Sequence, residues 1–217
     1  MTKRREFLAQ LGVAAATISF DADELRAASA PTTSPWDTSW LDRLATAQYR
    51  VVFNASDISD GAAMNYTSTF LDQFHEVHNT ADKQTRPVIV FRRLGTAMAF
   101  NDTMWDRYAI GEDTKTTDSA TNAPARRNVF WKGRPGAPPE SVTDKIETLQ
   151  GRGLICLVCN IAVNNVGYRY AEKAHRDVEE VRAELKANLV PGAILVPSGI
   201  FALIRAQNAG CAYMPGT

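Results

Sequence analysis

The chain of 217 residues carries 24 basic and 24 acidic side chains, so its formal net charge is zero, and 45% of its residues are hydrophobic. This length and apolar content fit one globular domain with an appendage and exclude a globally disordered chain. The balanced charge argues against a protein that holds nucleic acid by neutralising phosphates. Three cysteines and three histidines are too few for a disulfide framework or a cysteine-rich zinc module. No apolar run reaches the roughly 18–20 residues of a membrane span.

The first thirty residues are interpreted as an export signal. Arg4–Leu8 holds a twin arginine followed by Glu-Phe-Leu, and an alanine-rich apolar stretch comes next, which is the order of a twin-arginine signal. The alternative is a chance arginine pair that opens an ordinary helix. A small-residue triplet ends at Ala30 and suits signal peptidase, but Pro31 disfavours cleavage there, so the cut lies elsewhere or the segment persists as an anchor. We expect residues 1–30 to direct a folded protein to the periplasm.

The rest of the chain begins with residues 31–47, a linker and a short amphipathic helix over 36–47. Five apolar runs after it predict strands. In chain order the predicted strands are Tyr49–Ala55, Pro87–Phe91, Leu154–Cys159, Ala193–Val196 and Cys211–Met214. Amphipathic segments between them predict helices. These are a helix capped by Asp60 that runs to about Val77, one capped by Asn101 or Asp102, one from Ser141 to Gly151, one over Ala171–Leu189, and one capped by Ser198 that runs through Ala209.

The alternation of strand and helix predicts an α/β domain over residues 48–217. We expect a five-stranded, mostly parallel sheet with helices on both faces, in the three-layer arrangement of flavodoxin-like and Rossmann-like folds. Residues 111–140 interrupt the alternation with four prolines and three glycines. A long irregular loop of this kind favours a functional or partner-facing insertion. Its Phe130-Trp131 pair is expected to be buried in its own domain or in a neighbouring subunit.

Ligands of parallel α/β sheets bind beyond the carboxyl ends of the strands. The predicted strands place a set of polar and small residues at these ends. They are Asn54, Ser56, Arg92, Arg93, Cys159, Asn160, Ser198 and Gly199. The sequence has neither a glycine-rich phosphate loop nor a nucleophile elbow. His75 and His78 share a helix face and would suit a metal ion, but a polar helix end explains them equally, and we expect neither a metal nor a cofactor.

The cysteines differ in their expected roles. Cys156 and Cys159 form a C-x-x-C, but strand residues three apart point to opposite faces and lie about 10 Å apart, whereas a disulfide needs Cα atoms within about 7 Å. We therefore expect Cys156 to be a buried apolar residue and Cys211 to be structural. Cys159 ends a strand just before a predicted turn into a helix, whose free N–H groups would favour the thiolate. The alternative is a merely buried cysteine at a strand end.

Several of these segments, taken in order, resemble the DsrE/DsrF-like family. The matching pieces are Gly153–Asn160 (GLICLVCN), 189–192 (LVPG), 196–200 (VPSGI) and 210–213 (GCAY), and 101–108 (NDTMWDRY) is similar to a helix of exported members. The resemblance covers most of residues 48–215. It implies a five-stranded α/β fold, homo-oligomers that are often trimers or hexamers, and sulfur relay as a persulfide on the cysteine that Cys159 matches.

Two hypotheses follow for the function. In the first, the Cys159 thiolate takes sulfur from a sulfane donor and passes it to an acceptor thiol, while Arg92 or Arg93 and Ser198 bind the anionic donor. In the second, the protein is a non-catalytic oligomeric module that binds a ligand or a partner, with the loop at 111–140 serving the partner. The reactivity of Cys159 separates the two.

Export is tested by replacing both arginines of the signal. Arg4→Lys combined with Arg5→Lys should leave the protein in the cytoplasm, because the twin-arginine route requires the guanidinium pair. Fractionation of cells that express each form measures this, and Arg26→Lys is the matched control. Equal periplasmic recovery of the double variant and the parent would show that the arginine pair is not an export signal.

Overall fold

The computed structural model describes residues 34–217, so the predicted export signal at residues 1–30 lies outside the described range. Trp36–Thr217 form one compact unit. In this part of the chain, no helix combines the length and the apolar content that crossing a bilayer requires.

A five-stranded sheet forms the centre of this unit. Residues 34–217 contain seven strands, of which five belong to this sheet. They are β1 (Tyr49–Ala55), β2 (Thr85–Phe91), β3 (Thr117–Asp118), β4 (Ala123–Pro124), β5 (Ile155–Cys159), β6 (Ile194–Val196) and β7 (Ala212–Pro215). The sheet has the order β6-β5-β2-β1-β7, and every neighbouring pair in it is parallel. β3 and β4 form a separate antiparallel pair. The α/β fold with a five-stranded parallel sheet, predicted from the sequence, is confirmed.

Helices cover both faces of the sheet. They are α1 (Trp40–Ala45), α2 (Ala62–His78), α3 (Asp102–Arg107), α4 (Ile110–Asp113), α5 (Ile146–Gly151), α6 (Asn160–Ala174), α7 (Val178–Ala187) and α8 (Gly199–Asn208). A 3₁₀-helix over Arg93–Ala99 follows β2 directly. Apolar side chains of α2, α3, α5, α6 and α7 pack on one face of the sheet. Those of α1 and α8 pack on the other.

The strand residues alternate between these two apolar layers, because successive side chains of a strand point to opposite faces. In β2, Ile89 and Phe91 join the layer under α2 and α6, whereas Val88 and Val90 join the layer under α1 and α8. All four side chains are fully buried. This explains the continuous apolar run in the sequence, which is the expected pattern of a strand covered on both faces.

The short N-terminal helix belongs to the same folded unit. Trp40 and Leu44 of α1 are fully buried, and they pack in the layer that contains Val52 of β1. They lie four residues apart and therefore share one face of the helix. Helix α1 thus forms part of the same apolar layer as α8.

Two predicted helix starts are wrong. Asp60 does not cap α2: the helix begins at Ala62, after Gly61, and no side chain caps it. Asp60 and Gly61 both have positive φ angles, +50° and +82°, so the chain enters α2 through a left-handed turn. Ser141 does not cap α5 either, because that helix begins at Ile146. Ser141 instead ends a short 3₁₀-turn.

The helix predicted over Ala171–Leu189 is two helices. Helix α6 ends at Ala174, and His175 follows with a left-handed φ of +52°. Helix α7 then begins anew with Asp177 as its N-cap, whose Oδ1 accepts from the backbone N–H groups of Glu179 and Glu180 at 2.9 and 3.0 Å. The apolar positions of both helices face the same layer of the core. The 3.6-residue period therefore continues across the break, and periodicity did not reveal it.

The segment 111–140 is anchored to the core by a buried amide. Asn128 is fully buried. Its Nδ2 donates to the carbonyl oxygens of Met98 and Phe100, both at 2.7 Å, and its Oδ1 accepts from the N–H of Phe130 at 2.9 Å. One side chain thus satisfies three backbone groups that water does not reach.

The aromatic pair of this segment is buried within its own domain. Phe130 is only 7% exposed, and its ring centroid lies 6.0 Å from that of Trp105. Trp131 is partly buried against the same layer. The sequence left open whether the pair is buried in its own domain or in a neighbouring subunit; the structure buries Phe130 in its own domain and partly buries Trp131 there, on the core that contains α3.

Removing the anchoring amide should destabilise the fold. Asn128→Ala leaves two carbonyl oxygens and one N–H group buried without partners, so we expect the free energy of unfolding to fall by about 2–4 kcal/mol. Urea denaturation measures the change. Ser119→Ala, in an exposed part of the same segment, is the control and should change stability little. A loss for Asn128→Ala no larger than for this control would show that the amide is not an anchor.

Candidate functional site

The adjacent strands β5 and β6 send their following helices to opposite faces of the sheet. Cys159 at the end of β5 is paired in register with Val196 at the end of β6. Helix α6 starts at the next residue after β5 and packs on one face, whereas α8 starts shortly after β6 and packs on the other. The two chain segments therefore part at the carboxyl edge and leave a crevice between them. Such a switch point is where open α/β sheets bind ligands.

Cys159 lies in this crevice as the N-cap of α6. The backbone N–H of Ala162 donates to its Sγ at 3.4 Å. The first N–H groups of a helix have no intrahelical acceptor, and here the sulfur takes the place that a serine or aspartate oxygen usually occupies. The positive end of the dipole of the fifteen-residue helix α6 also faces the sulfur. The sulfur thus lies at the kind of position where helix N-termini bind acceptor atoms and anions.

The other two cysteines are buried. All three thiols are free. Cys156 is fully buried in the middle of β5, and this burial raises the pKa of its thiol to about 12. Cys211, which precedes β7, is 7% exposed, and burial raises the pKa of its thiol to about 11. Both are therefore protonated near neutral pH, which makes them poor nucleophiles.

Ser198 and Gly199 form the other wall of the crevice, where α8 begins. The Oγ of Ser198 accepts from the N–H of Phe201 at 3.0 Å, so Ser198 caps α8 as predicted. A Cβ on Gly199 would lie 3.0 Å from the Cβ and Cδ atoms of Arg92. The absence of a side chain at Gly199 thus lets the stem of Arg92 lie against the start of α8.

Two arginines follow β2, the strand beside β5. The backbone N–H of Arg92 donates to the carbonyl oxygen of Ala55 at 3.0 Å, and its Nη1 lies 3.5 Å from Oδ1 of Asn54. Arg93 is exposed and has a left-handed φ of +51°, a conformation uncommon for residues other than glycine. Both side chains line the crevice together with Cys159.

A third arginine, Arg169, was not predicted. It lies on α6 and lines the same crevice, with its guanidinium carbon 5.5 Å from the centroid of the Tyr170 ring. Ala162 and Val166 precede it on the same helix face at helical spacing and also line the crevice. The sequence shows that these residues share one face of the helix that follows Cys159. Only the position of α6 relative to α8 shows that this face lines the crevice.

The crevice encloses about 500 Å³. Its polar lining comprises Arg92, Arg93, Arg169, Asn165, Ser198 and Cys159. Its apolar lining comprises Leu94, Ile161, Ala162, Val166 and Ile200, with Gly199 beside them. No carboxylate lines it. The arrangement combines a cysteine held at a helix N-terminus with three cationic side chains.

Three of the residues placed at strand ends by the sequence do not line the crevice. The side chain of Asn54 lies beside β7, where its Nδ2 donates to the hydroxyl of Tyr213 at 3.1 Å. Ser56 follows it, on the far side of β2 from β5. Asn160 begins α6, but its side chain lies outside the crevice lining. β1 is separated from β5 by β2, so a strand end alone does not bring a side chain to Cys159.

The two helical histidines have other partners. Nε2 of His75 lies 3.0 Å from Oδ1 of Asp82. The ring of His78 stacks on Tyr49, with 5.3 Å between the ring centroids. Residues 34–217 contain no cluster of three or more histidine, cysteine, aspartate or glutamate side chains that could hold a metal ion.

Comparison with known proteins gives one structural likeness. No family model matches the sequence, and no curated protein matches it. The chain is similar to a solved structure of a protein of unknown function from Methanobacterium thermoautotrophicum, with a TM-score of 0.40 and 16% identity. The match covers 77% of this chain and 98% of the other. It gives no information on the role of any residue.

The three thiols should differ in their rates of alkylation. Iodoacetamide reacts with thiolates, so we expect Cys159 to be labelled first at neutral pH. Cys156 and Cys211 should react slowly until the pH approaches their raised pKa values of about 12 and 11. Peptide mass spectrometry after timed labelling measures each rate. In Cys159→Ser the fast phase should vanish, and earlier labelling of Cys156 or Cys211 would contradict the assignment of Cys159 as the reactive thiol.

Proposed function

We propose that this protein is a DsrE/DsrF-like sulfur carrier that holds sulfur as a persulfide on Cys159. The observation that carries the proposal is the N–H of Ala162 directed at the Cys159 sulfur, 3.4 Å away, inside a crevice lined by arginines and by no carboxylate. The ordered sequence resemblance around Gly153–Asn160 supports the same chemistry. A persulfide is an anion near neutral pH, and the Ala162 N–H group and the arginine side chains stabilise an anion at this position.

The reaction needs no external oxidant or reductant. The Cys159 thiolate attacks the terminal sulfur of a sulfane donor R–S–S⁻. A new S–S bond forms to Cys159 as the old S–S bond breaks, and the donor leaves as the thiolate R–S⁻. An acceptor thiolate then attacks the outer sulfur of the persulfide, which restores the Cys159 thiolate. Each step replaces one S–S bond with another and releases one thiolate, so there is no net oxidation or reduction.

The neighbouring groups bind and orient the donor. The guanidinium groups of Arg92, Arg93 and Arg169 attract an anionic donor, since no carboxylate neutralises them in the crevice lining. The first-turn N–H groups of α8 at Gly199 and Ile200 are additional donors without intrahelical acceptors. The Oγ of Ser198 accepts from the N–H of Phe201, and its hydroxyl proton can be donated to an anionic ligand.

The alternative is a non-catalytic binding module that uses the same crevice. A cavity of about 500 Å³ has the size of many small-molecule sites, so it also fits a ligand that does not react. The two functions differ in one property, which is whether sulfur becomes bonded to Cys159. The segment 111–140 packs on its own core through Asn128 and Phe130, and its use by a partner stays a prediction.

The cellular setting of this chemistry remains a proposal. We propose that the domain works in the periplasm after twin-arginine export, as Arg4–Leu8 predicts. Assembly into a homo-oligomer, a trimer or hexamer by the family resemblance, also stays a prediction. The donor and the acceptor are then molecules of that compartment.

The proposal is tested by intact mass spectrometry of protein treated with inorganic polysulfide. We expect one added sulfur atom, lost again when an acceptor thiol such as glutathione is supplied, because the persulfide transfers its outer sulfur. Cys159→Ser should take up no sulfur. Cys211→Ser is the matched control and should behave as the parent. Equal sulfur uptake by Cys159→Ser and the parent, or no uptake by either, would overturn the sulfur-carrier function.

A further inference from the structure

The crevice around Cys159 is much larger and more apolar than an inorganic sulfur donor requires. It encloses about 500 Å³, whereas thiosulfate occupies the space of a few water molecules at about 30 Å³ each. Most of the remaining volume borders the apolar side chains Leu94, Ile161, Val166 and Ile200. A small inorganic anion would leave these surfaces in contact with water alone.

The apolar side chains at this site are also unusually exposed. Leu94 is 46% exposed, Ile161 55% and Ile200 62%. They come from three different elements, the 3₁₀-helix after β2 and the starts of α6 and α8, yet they meet around one cavity. Exposed apolar residues gathered at a concave site mark a surface that gains free energy when a ligand covers it.

The charged side chains of the crevice indicate the charge of its ligand. Within residues 34–217, none of Arg92, Arg93 and Arg169 forms an ion pair with a carboxylate. Other exposed arginines do pair, such as Arg126 with Asp106 at 2.8 Å. Three guanidinium groups without a carboxylate partner in one partly enclosed crevice attract an anion and repel cations.

We propose that the crevice takes an organic anion: a sulfonate-like or thiosulfonate-like head beside the arginines, carried on an apolar group of about the size of one aromatic ring. This inference rests on the proposed function for its sulfur chemistry. It identifies the sulfur donor as an organic thiosulfonate, R–SO₂–S⁻. The Cys159 thiolate attacks the outer sulfur, the S–S bond of the donor breaks, and the sulfinate R–SO₂⁻ leaves with the bonding electron pair. Cys159 keeps the sulfur as a persulfide, and no further reactant is consumed.

The ligand class is tested first by binding alone, with probes that carry no transferable sulfur. Benzenesulfonate and methanesulfonate share a head group and differ in the apolar part. Calorimetric titration of Cys159→Ser protein should show benzenesulfonate binding about tenfold more tightly, because the ring covers apolar surface. Arg92→Gln and Arg169→Gln should each weaken binding of benzenesulfonate by about tenfold. Arg43→Gln, an exposed arginine outside the crevice, removes the same charge and should leave the affinity unchanged.

The apolar wall has its own matched pair of variants. Ile161→Ser and Ile200→Ser should bring the affinities for the two sulfonates close together. Ile204→Ser is the control: Ile204 is 52% exposed on the same helix as Ile200 but does not line the crevice, and its substitution should preserve the preference. These isoleucines are exposed, so the variants should remain folded. Equal affinity of the Cys159→Ser protein for both sulfonates, or no binding of either, would overturn the inference.

Reaction with thiosulfonates separates this inference from the proposed function. Cys159 should gain sulfur at least about tenfold faster from benzenethiosulfonate than from methanethiosulfonate or thiosulfate. If Cys159 gains sulfur from all three at the same rate, the sulfur-carrier function stands and the ligand class is wrong. If benzenesulfonate binds with the expected dependence on Arg92 and Ile161 but no donor sulfurates Cys159, the ligand class stands and the sulfur-carrier function is wrong.

Discussion

The site depends on the way the chain leaves two neighbouring parallel strands. β5 and β6 end side by side, with Cys159 in register with Val196, but α6 packs on one face of the sheet and α8 on the other. A sheet whose residues are apolar on both faces must be covered on both. This requirement sends the two helices apart and opens the crevice. The start of each helix then supplies unpaired N–H groups to the space between them.

The chemistry of Cys159 follows from this geometry. Cys159, at the N-cap of α6, accepts from the Ala162 N–H at 3.4 Å and faces the positive end of the helix dipole, whereas Cys156, three residues earlier, lies inside the strand and is fully buried. Burial raises the pKa of Cys156 to about 12, and its side chain packs on the face of the sheet that α6 covers. Two thiols so close in sequence are therefore expected to differ in reactivity, because one lies within a strand and the other at its end.

Much of the fold was predictable because its signals are local. The apolar runs of β1 and β5 gave strands within one residue of those observed, and Ser198 and Asn101 cap their helices as their positions indicated. The errors arose where residue type and periodicity did not reveal a left-handed backbone turn. Aspartate is a common N-cap residue, yet α2 begins after a left-handed turn at Gly61 and has no side-chain cap. The break at His175 was hidden because α6 and α7 present their apolar faces to the same layer.

By itself, the sequence determined the alternation of strands and helices, and hence the parallel α/β sheet and the edge of that sheet at which a site would form. It also singled out Cys159, since only this cysteine stands where a strand becomes a helix. The tertiary structure alone decided which strand ends are neighbours. The order β6-β5-β2-β1-β7 brings Arg92 and Ser198 to Cys159 and leaves Asn54 beside Tyr213. The relative placement of α6 and α8 adds Arg169, because a helix face acquires a direction only when the helix packs against the rest of the chain.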